Sequence, residues 1–525
     1  MRYDAIIIGG GHNGLVTAAY LAKAGKRILV LERREMLGGC AVTEELWPGY
    51  KVSTGAYLVS LLQERIIREL DLEKFGYRVL PKDPAFFSAF PDGRHLFFWQ
   101  DEKKTLAEIA KFSERDALAF PKYEAYLERL AIVVESLLFV TPPELPPKKP
   151  GDFIEYLKLL ARFRKLGPHE ITGLVKIFTQ SAADLLDEWF ESPEIKVTLA
   201  TDGVIGANGG PRSAGTAYIL MHHCMGGVAG KRGLWGFVKG GMGAVSEAIA
   251  ASARSHGAEI RTSAPVNRVL VRNGAAYGVV LENGDELHAP VIASNLDPKL
   301  TFLKLIESKE LDPGFRASIE HFRVEGTSLK MNLALAGLPD FIAHPGAPGP
   351  QHGATMHLCP SIDYVERAWD DAKYGRPSHN PLIEMTCPTT YDADLAPRGR
   401  HTMGIFLQYA PYTLRDAHWD DLREPYGDRV LDVISEYAPN ISGIVEHRQV
   451  LTPLDLERRF GISGGNIFHG EMALDQMFVL RPVAGYARHR TPVRGYYLCG
   501  SGAHPGGGVM GAPGYNAARE ILKAQ

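Results

Sequence analysis

At 525 residues the chain is too long for one ordinary hydrophobic core and implies two or three domains. It is 45% hydrophobic and 23% charged, the make-up of a globular protein, and its net charge of −3 without a sustained Lys/Arg patch gives no electrostatic case for nucleic acid. Its five cysteines, Cys40, Cys224, Cys359, Cys387 and Cys499, lie far apart with no CxxC or CxxxxC pair. That argues against a redox dithiol or a cysteine-rich metal site, and no metal is expected. No apolar run approaches the roughly 20 residues that span a bilayer. A first strand starting at Tyr3 leaves no room for a signal peptide, so a cytoplasmic protein is expected.

Tyr3 to Ile8 is a short apolar run suited to a strand buried on both faces, and it leads into Gly9-Gly10-Gly11-His12-Asn13-Gly14. Helical apolar spacing follows from Leu15 to Ala24, then a second strand from Arg27 to Glu32. In such a βαβ unit Gly9 permits the tight turn, Gly11 lets backbone approach a diphosphate, and Gly14 lets the helix pack closely on the strand. The helix N-terminus offers free N–H groups and the positive end of its dipole. Glu32, at the tip of the second strand, is placed to accept ribose hydroxyls. The fingerprint alone does not separate NAD from FAD. Immediately after it, Gly38-Gly39 forms a second close-approach pair that suits a long, extended cofactor.

Phe86 to Phe98 reads as a hairpin around Pro91-Asp92-Gly93, with aromatic side chains that suit a cavity wall or, as the favoured reading, ordinary sheet core. Residues 123–189 carry a helical pattern broken by the proline-rich stretch 141–150. After that break, Tyr156 to Lys165 is apolar with a basic face, compatible with peripheral contact with an anionic membrane although packing on its own domain is favoured. The adjacent His222 and His223 point about 100° apart on a helix and are poorly placed to share an ion. Gly240-Gly241-Met242-Gly243 opens a helix to His256, followed by strands at Ala258–Arg261 and Val266–Val271 and a hairpin around Asn283-Gly284. The end of the chain reads as strand, glycine-dense loop (Gly500 to Gly511) and helix to Lys523, and glycines there let backbone touch a flat ring.

The fingerprint with Gly38-Gly39, the Gly240–Gly243 loop and the C-terminal glycine run together resemble the phytoene-desaturase-like flavoproteins, within the wider amine-oxidase and glutathione-reductase-type FAD superfamily. Ser181 to Asp184, Asp187 to Phe190, Met221 to His223, Gly465 to Glu471 and Asp475 to Phe478 are similar to the branch of pyridine nucleotide-disulfide oxidoreductase domain-containing proteins. The resemblance implies an α/β fold: a glutathione-reductase-type Rossmann FAD domain from residues 1–74, 226–299 and 490–525, with an inserted α+β substrate domain from 75–225 and 300–489. Within the second domain, the helical subregion near 123–190 holds the apolar, basic stretch compatible with membrane contact.

The resemblance also implies that Gly9, Gly11, Gly14 and Gly39 follow the FAD diphosphate, that Glu32 holds the adenosine ribose, and that Arg33 and Val266 lie at the adenine. Gly500, Ser501 and Met510 then follow the ribityl and flavin portion. Two departures stand out: Ser501 replaces the acid found in many relatives, and Cys40-Ala41 follow the glycine pair where carotenoid desaturases usually carry Arg. His223, His469 and His504 are the best polar candidates near the flavin, none of them assignable as a base. The implied activity is hydride transfer to FAD from an apolar small molecule or carotenoid-like substrate, by a dehydrogenase, desaturase or isomerase. A quinone, oxygen or another carrier reoxidises the flavin. The alternative is a non-catalytic flavoprotein whose FAD supports a partner-binding surface. No second nucleotide fingerprint exists for NAD(P)H, and oligomeric state is not legible.

Overall fold

The β-branched run Ile6-Ile7-Ile8 forms a strand, Ala5–Ile8, with neighbours on both sides. In the computed structural model, which describes residues 3–147, 149–164 and 166–524, it is the middle of a five-stranded parallel sheet. The order across that sheet is Glu259–Arg261, Ile28–Leu31, Ala5–Ile8, Ile292–Ser294, Tyr496–Leu498. Lys148 of the proline-rich stretch and Lys165 at the end of the basic helix lie outside the described residues.

A parallel sheet needs cover on both faces, and alternation along the strands supplies it. Ala5, Ile7 and Val30 pack against the helices His12–Lys23, Gly243–Ser255 and Ala512–Ala524. Ile6, Ile8, Leu29 and Leu31 face the antiparallel sheet Val266–Arg272, Ala275–Leu281, Glu286–His288, whose last turn carries Gly284 at φ +90°. That second core also takes in Phe302, Leu305, Phe315 and Ile319. The packing of this layer therefore runs past residue 299, where the sequence suggested a boundary, because the helix Pro313–His321 contributes its buried face here. Likewise Val79–Pro81 pairs with Gly236–Val238 and ties the expected substrate segment to the cofactor segment by backbone hydrogen bonds.

A second, seven-stranded sheet runs Val445–Leu451, Ser328–Leu335, His401–Gln408, Leu382–Thr386, Thr355–Leu358, Phe86–Ala89, His95–Phe98. All neighbours are antiparallel except Thr355–Leu358 with Phe86–Ala89. One face, with Leu329, Met331, Leu333, Ile383, Met385 and Ile405, is closed by the helix Trp419–Ser435. The anticipated hairpin at 86–98 forms, and its aromatics divide by alternation. Phe87 and Phe97 enter this core, whereas Phe86 faces a cavity. A helical layer, including Glu114–Leu138, Pro168–Thr179, Pro193–Ala200 and Thr216–Cys224, covers the other side.

Gly14 is a sensitive test of this packing. Alanine normally outdoes glycine inside a helix by up to about 1 kcal/mol, but a Cβ at Gly14 would sit 2.4 Å from the Gly9 carbonyl oxygen. Gly14→Ala is therefore expected to reverse the propensity rule and destabilise the fold by about 1–3 kcal/mol, read as a lower midpoint in chemical denaturation.

Candidate functional site

One cavity of about 740 Å³ connects the two sheets. At one end it is lined by Gly9, Gly11, His12, Asn13, Glu32, Arg33, Gly38 and Gly39, with Val266 beside Pro265 and Asn267. The helix His12–Lys23 starts there from Gly11 with no side-chain cap and no acidic residue in its first turn. Its N–H groups and positive dipole end are thus left to an anion. A Cβ on Gly11 would meet the Asn295 side-chain nitrogen at 2.6 Å, so only glycine keeps this passage open.

The Glu32 carboxylate is buried and already accepts N–H groups from Gly10 (2.7 Å) and Arg34 (2.9 Å). Those bonds fix its aim while leaving lone pairs for a ligand. Arg33 is exposed but pinned: its guanidinium donates to the carbonyls of Arg458 and Arg459, at the C-terminal end of Pro453–Phe460, where a cation suits the helix dipole.

The C-terminal loop meets the same cavity through Ser501, Gly508 and Val509. Asn13 donates to the Ser501 hydroxyl at 3.1 Å, and His12 donates to the Gly508 carbonyl at 3.2 Å. Gly500 and Met510 do not line the cavity. A Cβ on Gly500 would lie 2.3 Å from the Asn295 carbonyl oxygen, so its place is a backbone contact, and Met510 is buried in the helical core. Gly14 likewise packs behind the wall. The loop is anchored by Arg481, fully buried, which donates to the carbonyls of Phe468, Gly470, Glu471, Gln476 and Ser501. This is the structural content of the 465–478 motif.

The far end differs in chemistry. Across the seven-stranded sheet, registered neighbours form a transverse row, Lys330, Phe406, Glu384, His357, of which the first three line the cavity and His357 is buried behind Glu384. Glu384 accepts from the Tyr57 hydroxyl (2.6 Å) and His357 Nε2 (3.0 Å). Burial alone would raise its carboxyl, but those bonds and the nearby charge of Lys82 bring it below the ordinary value. Lys82 donates to Thr355, and burial, opposed by Glu384 and Asp202, lowers its ammonium to about 8. Lys330 Nζ has no hydrogen-bond partner among the described residues and lies 4.6 Å from the Tyr57 ring centroid. Burial, opposed by Glu384, lowers it to about 7. Asp202 is raised to about 7 by burial and by the Glu384 charge. Phe86, Trp235, Ile205, Phe406 and Leu58 supply apolar walls.

Of the histidines singled out from sequence, His223 and His469 line this cavity. His504 is instead held by the Leu137 carbonyl at 3.1 Å and is buried beside the helix Glu114–Leu138. Cys40 is the lone cysteine among the lining residues, and burial pushes its thiol up to about 12. Among the described residues no group of three or more His, Cys, Asp or Glu is placed to share a metal ion.

A family model described as flavin containing amine oxidoreductase matches residues 14–319. The chain belongs to that family. It is 43% identical to the rat (Rattus norvegicus) pyridine nucleotide-disulfide oxidoreductase domain-containing protein 2 over 99% of its length and 94% of that protein's. It is 27% identical to one subunit of the limonene dehydrogenase of Castellaniella defragrans, again over 99% of this chain and 94% of the other. Among solved structures, an oxidoreductase from Methanosarcina mazei shares the fold at a TM-score of 0.60 and 17% identity, with 99% of both chains covered. The cofactor is therefore FAD and the protein a FAD-dependent oxidoreductase, on an α/β FAD-binding fold.

The residues that sequence reasoning missed are Lys82, Asp202, Lys330, Glu384, His357 and Asn295. They sit on separate strands and turns, and no motif joins them. The available signal was a lone charge inside an apolar strand, Lys330 in Ser328 to Leu335 and Glu384 in Leu382 to Thr386. Glu32→Ala removes the acceptor for Gly10 and Arg34 as well as the cavity carboxylate. FAD affinity is expected to fall at least about tenfold, measured by quenching of flavin fluorescence on titrating FAD into the apoprotein.

Proposed function

We propose that this protein is a dehydrogenase that moves a hydride from an apolar small molecule to FAD, at a bond next to an oxygen or nitrogen atom. The observation that carries this reading is the continuity of the cavity, from the glycine turn and Glu32 to the ionisable face around Lys330 and Glu384. A protein that only stores FAD as a folding element has no need of such a passage.

In this reading Gly9, Gly11 and Gly39 pass the diphosphate over the start of the helix His12–Lys23, and Gly14 holds that helix against the strand. Glu32 takes the ribose hydroxyls, with Arg33 and the backbone at Val266 beside the adenine. Ser501 serves the ribityl chain, with Gly500 and Met510 shaping the loop from behind. When bound, the isoalloxazine ring supplies the hydride acceptor. The chain supplies the rest. Phe86, Trp235, Ile205 and Phe406 take the apolar body of the substrate out of water, consistent with a relative named for limonene.

The row Lys330–Glu384–His357 supports a heteroatom at the reacting end rather than a plain carbon–carbon bond. Together with Lys82 and Asp202, these ionisable groups are costly to bury against a hydrocarbon alone. Lys330, neutral above about pH 7 and without a hydrogen-bond partner among the described residues, can accept the proton that leaves such a heteroatom. Glu384, held ionised by Tyr57 and His357, keeps a negative charge close enough to favour the resulting ammonium.

The test is anaerobic reduction of the FAD-loaded protein with matched apolar alcohols, amines and alkenes. Alcohols or amines are expected to bleach the flavin, at a rate that rises with pH through about 7 as Lys330 loses its proton. Lys330→Met should flatten that profile and slow bleaching about 10²–10⁴-fold. Bleaching by alkenes alone contradicts the heteroatom assignment, and bleaching by no compound of the three classes contradicts the enzyme reading.

A further inference from the structure

Six of the eleven large hydrophobic side chains that are exposed among the described residues crowd into one short stretch: Phe153, Ile154, Leu157, Leu160, Ile171 and Val175. The first four belong to the helix Pro150–Phe163, with Phe153 59%, Leu157 64% and Leu160 63% exposed. The other two stand one turn apart on the helix Pro168–Thr179. A surface helix normally turns its apolar stripe inward and its charges outward. Here the buried side of the helix is polar instead: Asp152 turns inward toward Arg488, half-exposed Glu155 pairs with the same guanidinium at the edge, and Tyr156 donates to the Glu144 carbonyl. The outward face keeps the apolar side chains together with the exposed basic residues Lys158, Arg162 and Arg164.

We infer that this paired-helix face docks on an anionic lipid surface, the helix Pro150–Phe163 lying in the interface plane. Three features support that occupant. The patch combines large apolar side chains with basic ones, the composition that inserts shallowly among acidic headgroups. At 14 residues the helix is about 21 Å long, too short to cross a bilayer and suited to lying on one. No described helix is long and apolar enough to cross a membrane. A second copy of the chain fits less well, because a two-fold contact sets each patch against itself. The positive charges of Lys158, Arg162 and Arg164 would then be gathered with those of the second copy in one interface.

The inference is independent of the substrate assignment, and the test uses the full-length, FAD-loaded protein. It is sedimented with phosphatidylcholine vesicles made with or without phosphatidylglycerol. The protein is expected to pellet with the anionic vesicles and to be released by salt. Phe153→Ser with Leu157→Ser should weaken pelleting at least about tenfold. Lys158→Glu with Arg162→Glu should weaken it about tenfold or more on anionic vesicles only. Both variants should keep their flavin absorbance, since these side chains are exposed. If the first loses its FAD, Leu160→Gln alone gives the same reading. Failure to pellet with anionic vesicles overturns the inference, as does pelleting that neither variant weakens. Loss of a dimer in both variants, seen by light scattering, overturns it in favour of a second copy.

Discussion

The structure depends on backbone segments touching where side chains would not fit. A Cβ on Gly14 would lie 2.4 Å from the Gly9 carbonyl, one on Gly500 2.3 Å from that of Asn295, and one on Gly514 2.2 Å from that of Asn13. These three contacts join segments from the start, middle and end of the chain around one helix N-terminus. The Thr17 hydroxyl, donating to the Gly514 carbonyl at 3.0 Å, fastens the last helix to the first. Glycine costs conformational entropy in the unfolded chain, and here that cost secures an uncapped N-terminus at the bottom of a cavity. The diphosphate of FAD is the ligand class that such a terminus favours.

Electrostatics divide the cavity into two regions. Near the glycine turn the chain offers N–H groups, the carboxylate of Glu32 and the pinned guanidinium of Arg33. At the other end the seven-stranded sheet turns one face to its core and the other to the cavity. Alternation of side chains thereby sets Met331, Leu333 and Ile405 on the core face against Lys330, Phe406 and Glu384 on the other. Low-dielectric surroundings make each of these groups sensitive to its neighbours. Lys330 and Asp202 are both brought close to neutral pH by burial, in opposite directions, while Glu384 moderates the first and reinforces the second.

The glycine turn and Glu32, which line one end of the cavity, were legible because that unit is written locally. Gly9 to Glu32 is one contiguous βαβ unit, and Gly39 and Ser501 belong to short glycine runs whose strand and helix neighbours are plain in the residue pattern. The reactive half was not legible, because strand register assembles it. Lys330, Glu384 and His357 come from three strands that pair across long loops, and a one-residue slip would turn each to the opposite face. Met510 and Gly500 belong to the same loop as Ser501 but do not line the cavity, Gly500 packing on the Asn295 carbonyl and Met510 in the helical core. Packing likewise crosses residue 299, since Phe302, Leu305, Phe315 and Ile319 join a core that sequence proximity does not reveal.

The central claim is that one bound FAD reaches from the glycine turn to the ionisable sheet face. A crystal structure of the FAD-loaded protein tests it most directly. The expected result is the diphosphate over the N–H groups of His12 and Asn13, the ribose at Glu32, and the isoalloxazine ring presenting one side to Lys330 and Glu384. An isoalloxazine ring turned to bulk solvent, or walled off from Lys330 and Glu384 by intervening side chains, would contradict it.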